Sequence, residues 1–291
     1  MKLTFEAKAP PETWVHWKRV FWAMLGDAPY QAFFDTCNQE QDHFGRYEAL
    51  AGAASEALSP DWEGNRDLGS RGKWTFGLMP YELKSVFEPK VKSLSPLIAW
   101  PETAFFAPDW VAAIDRHRET VHIWGWNGPL PEPQPEGEDV LPDPAPVFTS
   151  NFTRARYLDT VANIQENILD GEYYEINLSQ VFSAGVELPS PRAVFQKLTA
   201  ISPTPFASFL RFGDRYVMAA SPERFLQKKG ALLTTQPIKG TSRRGASPAE
   251  DDALMAALRH SEKEQAENVM IVDLSRNDLH RVCKPGTVQT P

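Results

Sequence analysis

Three polar segments in the second half of the chain interrupt apolar stretches and contain residue types that catalysis needs. The first is Ser221-Pro222-Glu223-Arg224, which lies between two strand-like segments. A carboxyl group partly withdrawn from water at this junction could serve as a general acid, so Glu223 is a candidate proton donor. The alternative is a surface turn in which Glu223 pairs with Arg224, because exposed ion pairs of this kind contribute little.

The second segment is Pro237-Ile238-Lys239-Gly240-Thr241, at the end of another strand-like stretch. Gly240 would allow the backbone to approach a ligand closely, and Lys239 would project from a constrained loop beside it. A desolvated lysine amine is a good nucleophile, so Lys239 is a candidate for covalent catalysis. The alternative is an ordinary solvated lysine in a turn, because most lysine side chains in proteins are exposed.

The third segment covers residues 264–278, EQAENVMIVDLSRND, and combines an apolar run with several acids. Its apolar residues fall on almost every side of a helix, which predicts that the helix is buried. Glu267 precedes this run, and Asp273 and Asp278 lie within and beyond it. Buried acids need partners, and a divalent cation with oxygen ligands is one way to satisfy them.

Short strands and turns must position the first two segments. Runs rich in β-branched and aromatic residues alternate with turn residues. In the rear part of the chain, residues 206–235, this alternation predicts an antiparallel meander. The predicted strands cover residues 30–37, 73–79, 103–106 and 120–126 in the front part, and residues 206–212, 216–220, 225–227 and 232–235 in the rear part.

Helices flank these strands. Apolar spacing predicts one helix that ends near Gly171, where a left-handed cap fits, and another that begins at Ser190-Pro191. Ser247 and Ser261 each precede a glutamate by three residues, as in a capping box, and predict two helices that separate near His260. Strands and helices occur in blocks, so the predicted fold class is α+β, with layered antiparallel β-sheets and flanking helices.

The composition indicates a globular protein that is divided by one linker. Residues 129–146 contain seven prolines and several acids, which leaves little to bury, so we expect an exposed linker there. This divides the chain into a strand-rich region, residues 1–128, and a second region, residues 147–291. The formal charge of −8 argues against a nucleic-acid partner and favours a small-molecule ligand.

The termini and the cysteines exclude several other classes of protein. The first residues contain no apolar stretch of signal-peptide length, and no apolar run is long enough to cross a bilayer. We therefore expect a cytoplasmic protein without membrane insertion. Cys37 and Cys283 are far apart and outside any CxxC spacing, so we expect neither a disulfide framework nor a zinc site.

Four segments in order resemble the chorismate-utilising enzymes. They are GEYYEINLSQVF (residues 171–182), FASFLRFGDRYVMAASPERFL (206–226), TTQPIKGTSRRG (234–245) and AENVMIVDLSRNDL (266–279). The resemblance covers residues 151–291 closely, whereas the front part, notably the run from Trp74 to Lys84, is similar only to one branch of the aminodeoxychorismate synthases. It implies a fold like that of anthranilate synthase component I, with residues 147–291 forming the N-terminal part of a chorismate-binding catalytic domain.

Two positions discriminate between the chemistries of this superfamily. Members that resemble anthranilate synthase have alanine in the PIxGT loop, whereas aminodeoxychorismate synthases have a lysine that acts as a covalent nucleophile. Here the residue is Lys239, followed by Gly240 and Thr241 in the substrate loop. Members that resemble isochorismate synthases have a lysine base at the position of Glu175, and a glutamate there disfavours activation of water.

The resemblance implies amination of chorismate to 4-amino-4-deoxychorismate, a step toward 4-aminobenzoate and folate. Lys239 would attack ring carbon 2 while Glu223 protonates the leaving hydroxyl, and Glu267 would hold part of a Mg²⁺ ion. Ammonia would come from a separate glutamine amidotransferase subunit, forming a heterodimer with this chain. The alternatives are an anthranilate synthase component I and a non-catalytic scaffold that docks an amidotransferase.

Two departures from the family pattern remain. Family members continue well beyond the position of Pro291, so we expect a C-terminally truncated chain that is inactive alone. Many relatives also bind tryptophan in a pocket with a more hydrophobic sequence than the one around Thr36. We predict a candidate amino-acid effector pocket at Thr36, with Phe206, Ala207 and Ser208 as the opposing wall.

Overall fold

A computed structural model of the chain describes residues 1–39, 45–65, 68, 72–91, 98–133 and 145–290. The strands are β1 (Leu3–Lys8), β2 (Tyr30–Asp35), β3 (Tyr47–Ala54), β4 (Phe76–Leu78), β5 (Ala104–Phe106), β6 (Trp110–Asp115), β7 (Thr120–Trp124), β8 (Thr149–Ser150), β9 (Phe182–Ser183), β10 (Phe206–Phe212), β11 (Arg215–Ser221), β12 (Arg224–Lys229) and β13 (Leu232–Gln236). The helices are α1 (Trp14–Leu25), α2 (Trp62–Asn65), α3 (Lys84–Phe87), α4 (Arg154–Leu169), α5 (Pro191–Ile201), α6 (Pro248–His260) and α7 (Glu262–Val282). The chain divides into two compact units, Met1–Gln134 with Leu198–Pro291, and Pro135–Lys197.

The first unit is built on a seven-stranded antiparallel sheet with the order β1-β7-β6-β3-β2-β10-β11. Strand β2 pairs with β10, so that Tyr30 lies opposite Phe212 and Asp35 lies opposite Ala207. Strands from the front and the rear of the sequence therefore share one sheet, which continues across the boundary expected at residues 129–146. Residues 134–144 of that expected linker lie outside the described residues.

Aromatic and small side chains fill the two faces of this sheet. On one face Trp22 of α1 stacks on Phe33 at 4.4 Å between ring centroids and meets Phe209 edge-on at 5.1 Å. On the other face Phe76 and Phe106 join a buried cluster with Ala32. Neighbouring residues of a strand point to opposite faces, so β2 contributes to both layers of the core.

Strand β3 has small residues because other chain segments approach it closely. A Cβ atom at Gly52 would collide with the ring of Phe76 and lie 3.0 Å from the carbonyl oxygen of Trp110. The alanines of β3 are buried beside this glycine. A central strand can therefore have the sequence YEALAGAA, which lacks the usual β-branched residues.

The predicted meander is wrong in one respect, although the structure forms each of its four strands. Strands β10 and β11 pair within the large sheet, whereas β12 and β13 form a separate two-stranded sheet. The break falls at Ser221-Pro222-Glu223-Arg224, where proline lacks the backbone N–H that a strand ladder needs. The rear strands are thus two hairpins joined by the segment that contains Glu223.

The predicted serine N-caps of α6 and α7 are confirmed. The Ser247 hydroxyl accepts a hydrogen bond from the Glu250 amide, and the Ser261 hydroxyl accepts one from the Glu264 amide. The prediction that α7 is buried is wrong, because none of its described side chains is buried and Val269 is 66% exposed. Helix α7 contacts α6 and the loop that carries Lys239, and these neighbours leave much of its apolar surface open.

The second unit contains β8, α4, β9 and the beginning of α5. Strand β8 pairs with β9, and α4 is capped by Thr153, whose hydroxyl accepts from the Arg156 amide at 3.2 Å. Gly171 follows α4 with a φ of +81°, which confirms the predicted left-handed cap. Glu175 lies between α4 and β9 in this unit. Within the described part of the chain, no helix combines the length and apolar character that spanning a bilayer requires.

Candidate active site

The register of the β12–β13 hairpin places Glu223 and Lys239 at the same end of that hairpin. Arg224, the first residue of β12, lies opposite Gln236, the last residue of β13. The Arg224 guanidinium donates a hydrogen bond from Nε to Gln236 Oε1 at 2.8 Å, which fastens this end. Glu223 directly precedes this pair and Lys239 follows it by three residues, so the candidate acid and the candidate nucleophile leave the hairpin together.

The Lys239 side chain reaches the first part of α7. Its Nζ atom lies 3.8 Å from Glu267 Oε1, and the lysine side chain is 18% exposed. Gly240 has a φ of +77°, and a Cβ atom there would lie 3.0 Å from Glu264 Oε2 and 3.4 Å from Leu258 Cδ1. A glycine therefore suits this position in both its backbone conformation and the space around it. Thr241 continues the loop and is exposed.

Glu267 has the chemistry of a magnesium ligand, but the described residues do not complete a ligand set. Its side chain is 32% exposed, so a carboxylate oxygen is accessible. Mg²⁺ commonly binds one or two carboxylates together with water and substrate oxygens, and Glu267 fits such a role. Among the described residues no group of three or more acidic, histidine or cysteine side chains converges on one point. Asp273 and Asp278 are exposed, contrary to the expectation that they are buried.

Glu223 is exposed, as in the surface-turn alternative that the sequence allowed. Its backbone N–H donates to Ser221 Oγ at 3.4 Å, and the same hydroxyl donates to the carbonyl oxygen of Glu223 at 3.2 Å. These hydrogen bonds fix the turn and leave the carboxylate at the surface. A surface carboxylate can become a general acid when substrate or another part of the protein covers it.

A cavity of about 470 Å³ lies beside this turn. Its lining contains Glu223 together with all four residues predicted for the effector pocket, namely Thr36, Phe206, Ala207 and Ser208. They meet because β10 pairs with β2, which places Ala207 opposite Asp35 and next to Thr36. The structure therefore confirms that these positions come together, while the binding of an amino acid stays a prediction.

A buried group of charges supports one side of this cavity. Lys18 Nζ lies 2.7 Å from Asp35 Oδ1 and 2.7 Å from Glu48 Oε1, and Arg116 Nη2 lies 3.1 Å from Glu48 Oε2. The Thr36 hydroxyl donates to Glu48 Oε2 at 2.6 Å. Glu48 is fully buried, so these partners satisfy a carboxylate that water does not reach.

The charges around Lys18 determine its protonation. Burial alone would lower the pKa of Lys18, but the carboxylates of Asp35 and Glu48 outweigh burial and raise that pKa. Burial and the nearby Asp35 carboxylate raise the pKa of the Cys37 thiol. The sequence predicted no role for Lys18, Glu48 or Arg116. The available signal was a single acid within the small, apolar run of β3.

Comparisons with known proteins identify the family to which the chain is similar. The model of the family described as chorismate binding enzyme matches residues 13–291. The chain is 34% identical to aminodeoxychorismate synthase component 1 of Salmonella typhimurium over 241 residues, which cover 81% of this chain and 53% of that protein. It is 35% identical to anthranilate synthase component 1 of Aeropyrum pernix over 215 residues, covering 74% of this chain and 48% of that protein.

A solved structure supports the fold. The crystal structure of anthranilate synthase component I from Streptococcus pneumoniae superposes with a TM-score of 0.58 at 27% identity, covering 72% of this chain and 50% of that chain. This similarity confirms the predicted α+β fold. The chain spans about half the length of the curated relatives it matches. Because the family model extends over nearly all of its residues, the chain belongs to the chorismate binding enzyme family.

Proposed function

We propose that this chain is part of an enzyme that aminates chorismate to 4-amino-4-deoxychorismate on the route to 4-aminobenzoate and folate. The observation that carries the proposal is the position of Lys239, whose amine faces Glu267 from a loop that leaves the same hairpin end as Glu223. The similarity of the chain to aminodeoxychorismate synthase component 1 of Salmonella typhimurium supports the same reaction.

Lys239 and Glu223 would divide the first displacement between them. Once the Lys239 amine has lost its proton, its lone pair forms a bond to ring carbon 2 of chorismate. Both ring double bonds shift by one position, the bond from carbon 4 to its hydroxyl breaks, and Glu223 supplies the proton with which that hydroxyl leaves as water. Attack by ammonia at carbon 4 then shifts both double bonds back and expels the lysine amine, which restores Lys239.

Magnesium is part of this proposal. Glu267 would hold the ion through its carboxylate, because Mg²⁺ prefers oxygen ligands. Its other ligands would be water and substrate oxygens, since no group of three or more acidic, histidine or cysteine side chains converges among the described residues. When bound, the ion would offset the negative charge of the substrate carboxylate and of the departing hydroxyl group.

A glutamine amidotransferase subunit is the proposed source of ammonia. The relatives are named component 1, which supports a second component. Cys37 directly follows Thr36, which lines the cavity described above, and burial raises the pKa of the Cys37 thiol. A raised pKa disfavours the thiolate that an amidotransferase nucleophile needs, so a separate chain is the better source.

Full activity is proposed to require the part of the domain that the relatives have and this chain does not cover. The relatives are about twice as long as the matched region, and Val269, Leu274 and Val282 of α7 are exposed. The 291-residue chain is therefore expected to be inactive alone. Addition of the separately expressed C-terminal half of the Salmonella typhimurium relative is expected to produce turnover, and full turnover by the chain alone would contradict this expectation.

The test of the function is product identity in that reconstituted enzyme. Chorismate, ammonium and magnesium are supplied, and the product is identified by liquid chromatography and mass spectrometry. We expect 4-amino-4-deoxychorismate, and we expect Lys239→Ala to reduce kcat by about a thousandfold or more, as loss of a nucleophile does. The matched control is Lys228→Ala, on the exposed part of the same hairpin. An unchanged yield with Lys239→Ala would leave the nucleophile unassigned.

Two other functions have specific observations in their favour. Anthranilate synthase component I is favoured by the relatives from Aeropyrum pernix and Streptococcus pneumoniae, whereas Lys239 argues against it. Its product is fluorescent anthranilate, which the same chromatogram separates. A non-catalytic scaffold that docks an amidotransferase is favoured by the half-length match. Heat of chorismate binding in a calorimeter would argue against the scaffold.

We also propose that the cavity between Thr36 and Phe206 binds an amino acid effector. The cavity has about 470 Å³ of space and contains both apolar and charged side chains, which suits a small amphiphilic ligand. Titration with tryptophan in a calorimeter tests the proposal. Absence of heat for the wild-type chain would mean that tryptophan does not bind there.

A further inference from the structure

Two arginines fasten the loop that carries Lys239 to the start of α6. Arg244 donates from Nε to Asp251 Oδ1 at 2.8 Å and from Nη2 to Asp251 Oδ2 at 2.6 Å, which is a bidentate pair. Arg243 Nη2 lies 2.6 Å from Glu250 Oε1. Both acids belong to the first turn of α6, where the positive end of the helix dipole favours negative charge.

Backbone groups of the loop bind the same two acids. The Gly245 amide donates to Asp251 Oδ1 at 2.7 Å, and the Ala246 amide donates to Glu250 Oε2 at 2.7 Å. A Cβ atom at Gly245 would lie 2.7 Å from the Asp251 Cα atom, so the loop backbone lies directly against the helix. We call Arg243, Arg244, Gly245, Glu250 and Asp251 the arginine clasp.

The other end of this loop carries Lys239. Gly240 approaches Leu258 of α6 and Glu264 of α7, and Lys239 itself faces Glu267. Only the four residues 240–243 separate Lys239 from Arg244. Even fully extended, the chain from Lys239 to Arg244 spans only about 17 Å, so the clasp limits how far Lys239 can move.

The clasp differs from an ordinary surface ion pair. Arg244 is 87% exposed, and single exposed pairs usually contribute little to stability. Here, however, a forked guanidinium and a backbone amide share one carboxylate, a geometry that fixes direction as well as distance. In agreement, the hydrogen bonds from Arg244 and the Gly245 amide lower the pKa of Asp251 to about 2.

We propose that Arg244 and Asp251 are positioning residues, which hold the loop so that the Lys239 amine is directed toward α7 and the substrate. This inference rests on the proposed function, because it gives the clasp a role only if Lys239 reacts. The anchoring itself is measurable in the 291-residue chain without any turnover.

The experiment measures acetylation of individual lysines by mass spectrometry at a single pH. In Asp251→Asn, which loses the charge and half of the fork, we expect Lys239 to be acetylated about fivefold faster relative to Lys228 and Lys229 on the β12–β13 hairpin. The matched control is Asp252→Asn, one residue further along α6 and outside the clasp, which is expected to leave the Lys239 rate unchanged. Arg244→Lys keeps the positive charge without the fork and is expected to give an intermediate increase.

The outcomes separate positioning from folding and from function. Wild-type acetylation of Lys239 in both Asp251→Asn and Arg244→Lys would overturn the proposal, and if Asp251→Asn does not fold, Arg244→Lys alone decides it. In the reconstituted enzyme we expect Arg244→Lys to lower kcat while KM for chorismate stays unchanged, which a general loss of structure would not produce. An equal fall of kcat and rise of KM would also overturn it. If acetylation changes as expected but Lys239→Ala leaves turnover intact, the anchoring stands and the proposed function fails.

Discussion

The seven-stranded sheet and the segment from β12 to α7 differ sharply in how they are held, although both belong to the same compact unit. Strand β6 is buried at every position, and Phe33 of β2 is almost completely enclosed. In contrast, neither α6 nor α7 has a buried residue. The sheet is therefore stabilised by apolar packing, and the later segment depends on caps, ion pairs and hydrogen bonds.

This difference bears on the candidate active site because its three residues lie in or beside the open segment. Glu223 precedes β12, Lys239 follows β13, and Glu267 is in α7. Hydrogen bonds and ion pairs are directional, so they can orient these side chains without a surrounding apolar core. They contribute less to the free energy of unfolding than apolar packing does. The sheet is thus expected to resist unfolding even where the segment that carries Lys239 is altered.

The largest expected effect comes from removing one aromatic ring from the sheet. Phe33→Ala is expected to lower the free energy of unfolding by about 3 to 5 kcal/mol. The ring stacks on Trp22, and its removal leaves a cavity in the core. Val269→Ala in α7 is expected to change it by less than about 0.5 kcal/mol, because that side chain is mostly exposed. Urea denaturation of both variants measures the contrast, and equal losses would contradict the distinction between the regions.

A smaller effect is expected from the buried charges of the sheet. Glu48→Gln keeps an oxygen that accepts from Thr36 but leaves Lys18 and Arg116 without their shared negative charge. We expect a loss of about 2 to 3 kcal/mol at neutral pH, somewhat less than for removing a whole partner of a buried ion pair. The control is the exposed Glu56→Gln. A Glu48→Gln protein as stable as wild type would mean that the charges do not support the sheet.

Local signals in the sequence identified most of the helices and many of the strands. Ser247, Ser261 and Gly171 act within one turn of their own helix ends, so their caps follow from spacing alone. Strand β3 could not be predicted from propensity, because its small residues are explained by Phe76 and Trp110 approaching from elsewhere. The pairing of β2 with β10 joins residues far apart in sequence, for which no local pattern exists.

The candidate site shows the same limit. The sequence resemblance identified Lys239, Glu223 and Glu267, and the structure brings Lys239 to Glu267. The sequence pattern wrongly predicted that the acids of α7 are buried, because burial depends on neighbours from other elements, and Glu223 is also exposed. In the sequence, the arginine clasp is only two arginines followed seven residues later by two acids. The contact between them arises because α6 begins between the arginines and the acids and holds both acids in its first turn.

The smallest expected effect is local and depends on pH. The hydrogen bonds from Arg244 and the Gly245 amide lower the pKa of Asp251 from 3.8 to about 2 in the folded chain. A carboxyl group whose pKa is lower in the folded state stabilises that state above its unfolded pKa, and this stabilisation disappears as the pH falls through the folded value. The clasp is therefore expected to stay closed at pH 4 and to open toward pH 2.

The ¹⁵N and ¹H chemical shifts of the Gly245 amide, measured by NMR as the pH is lowered, test this prediction, because that amide donates to Asp251. In Asp251→Asn the same amide should show no such titration, and a midpoint near pH 4 in the wild-type chain would mean that Arg244 does not hold the carboxylate in solution.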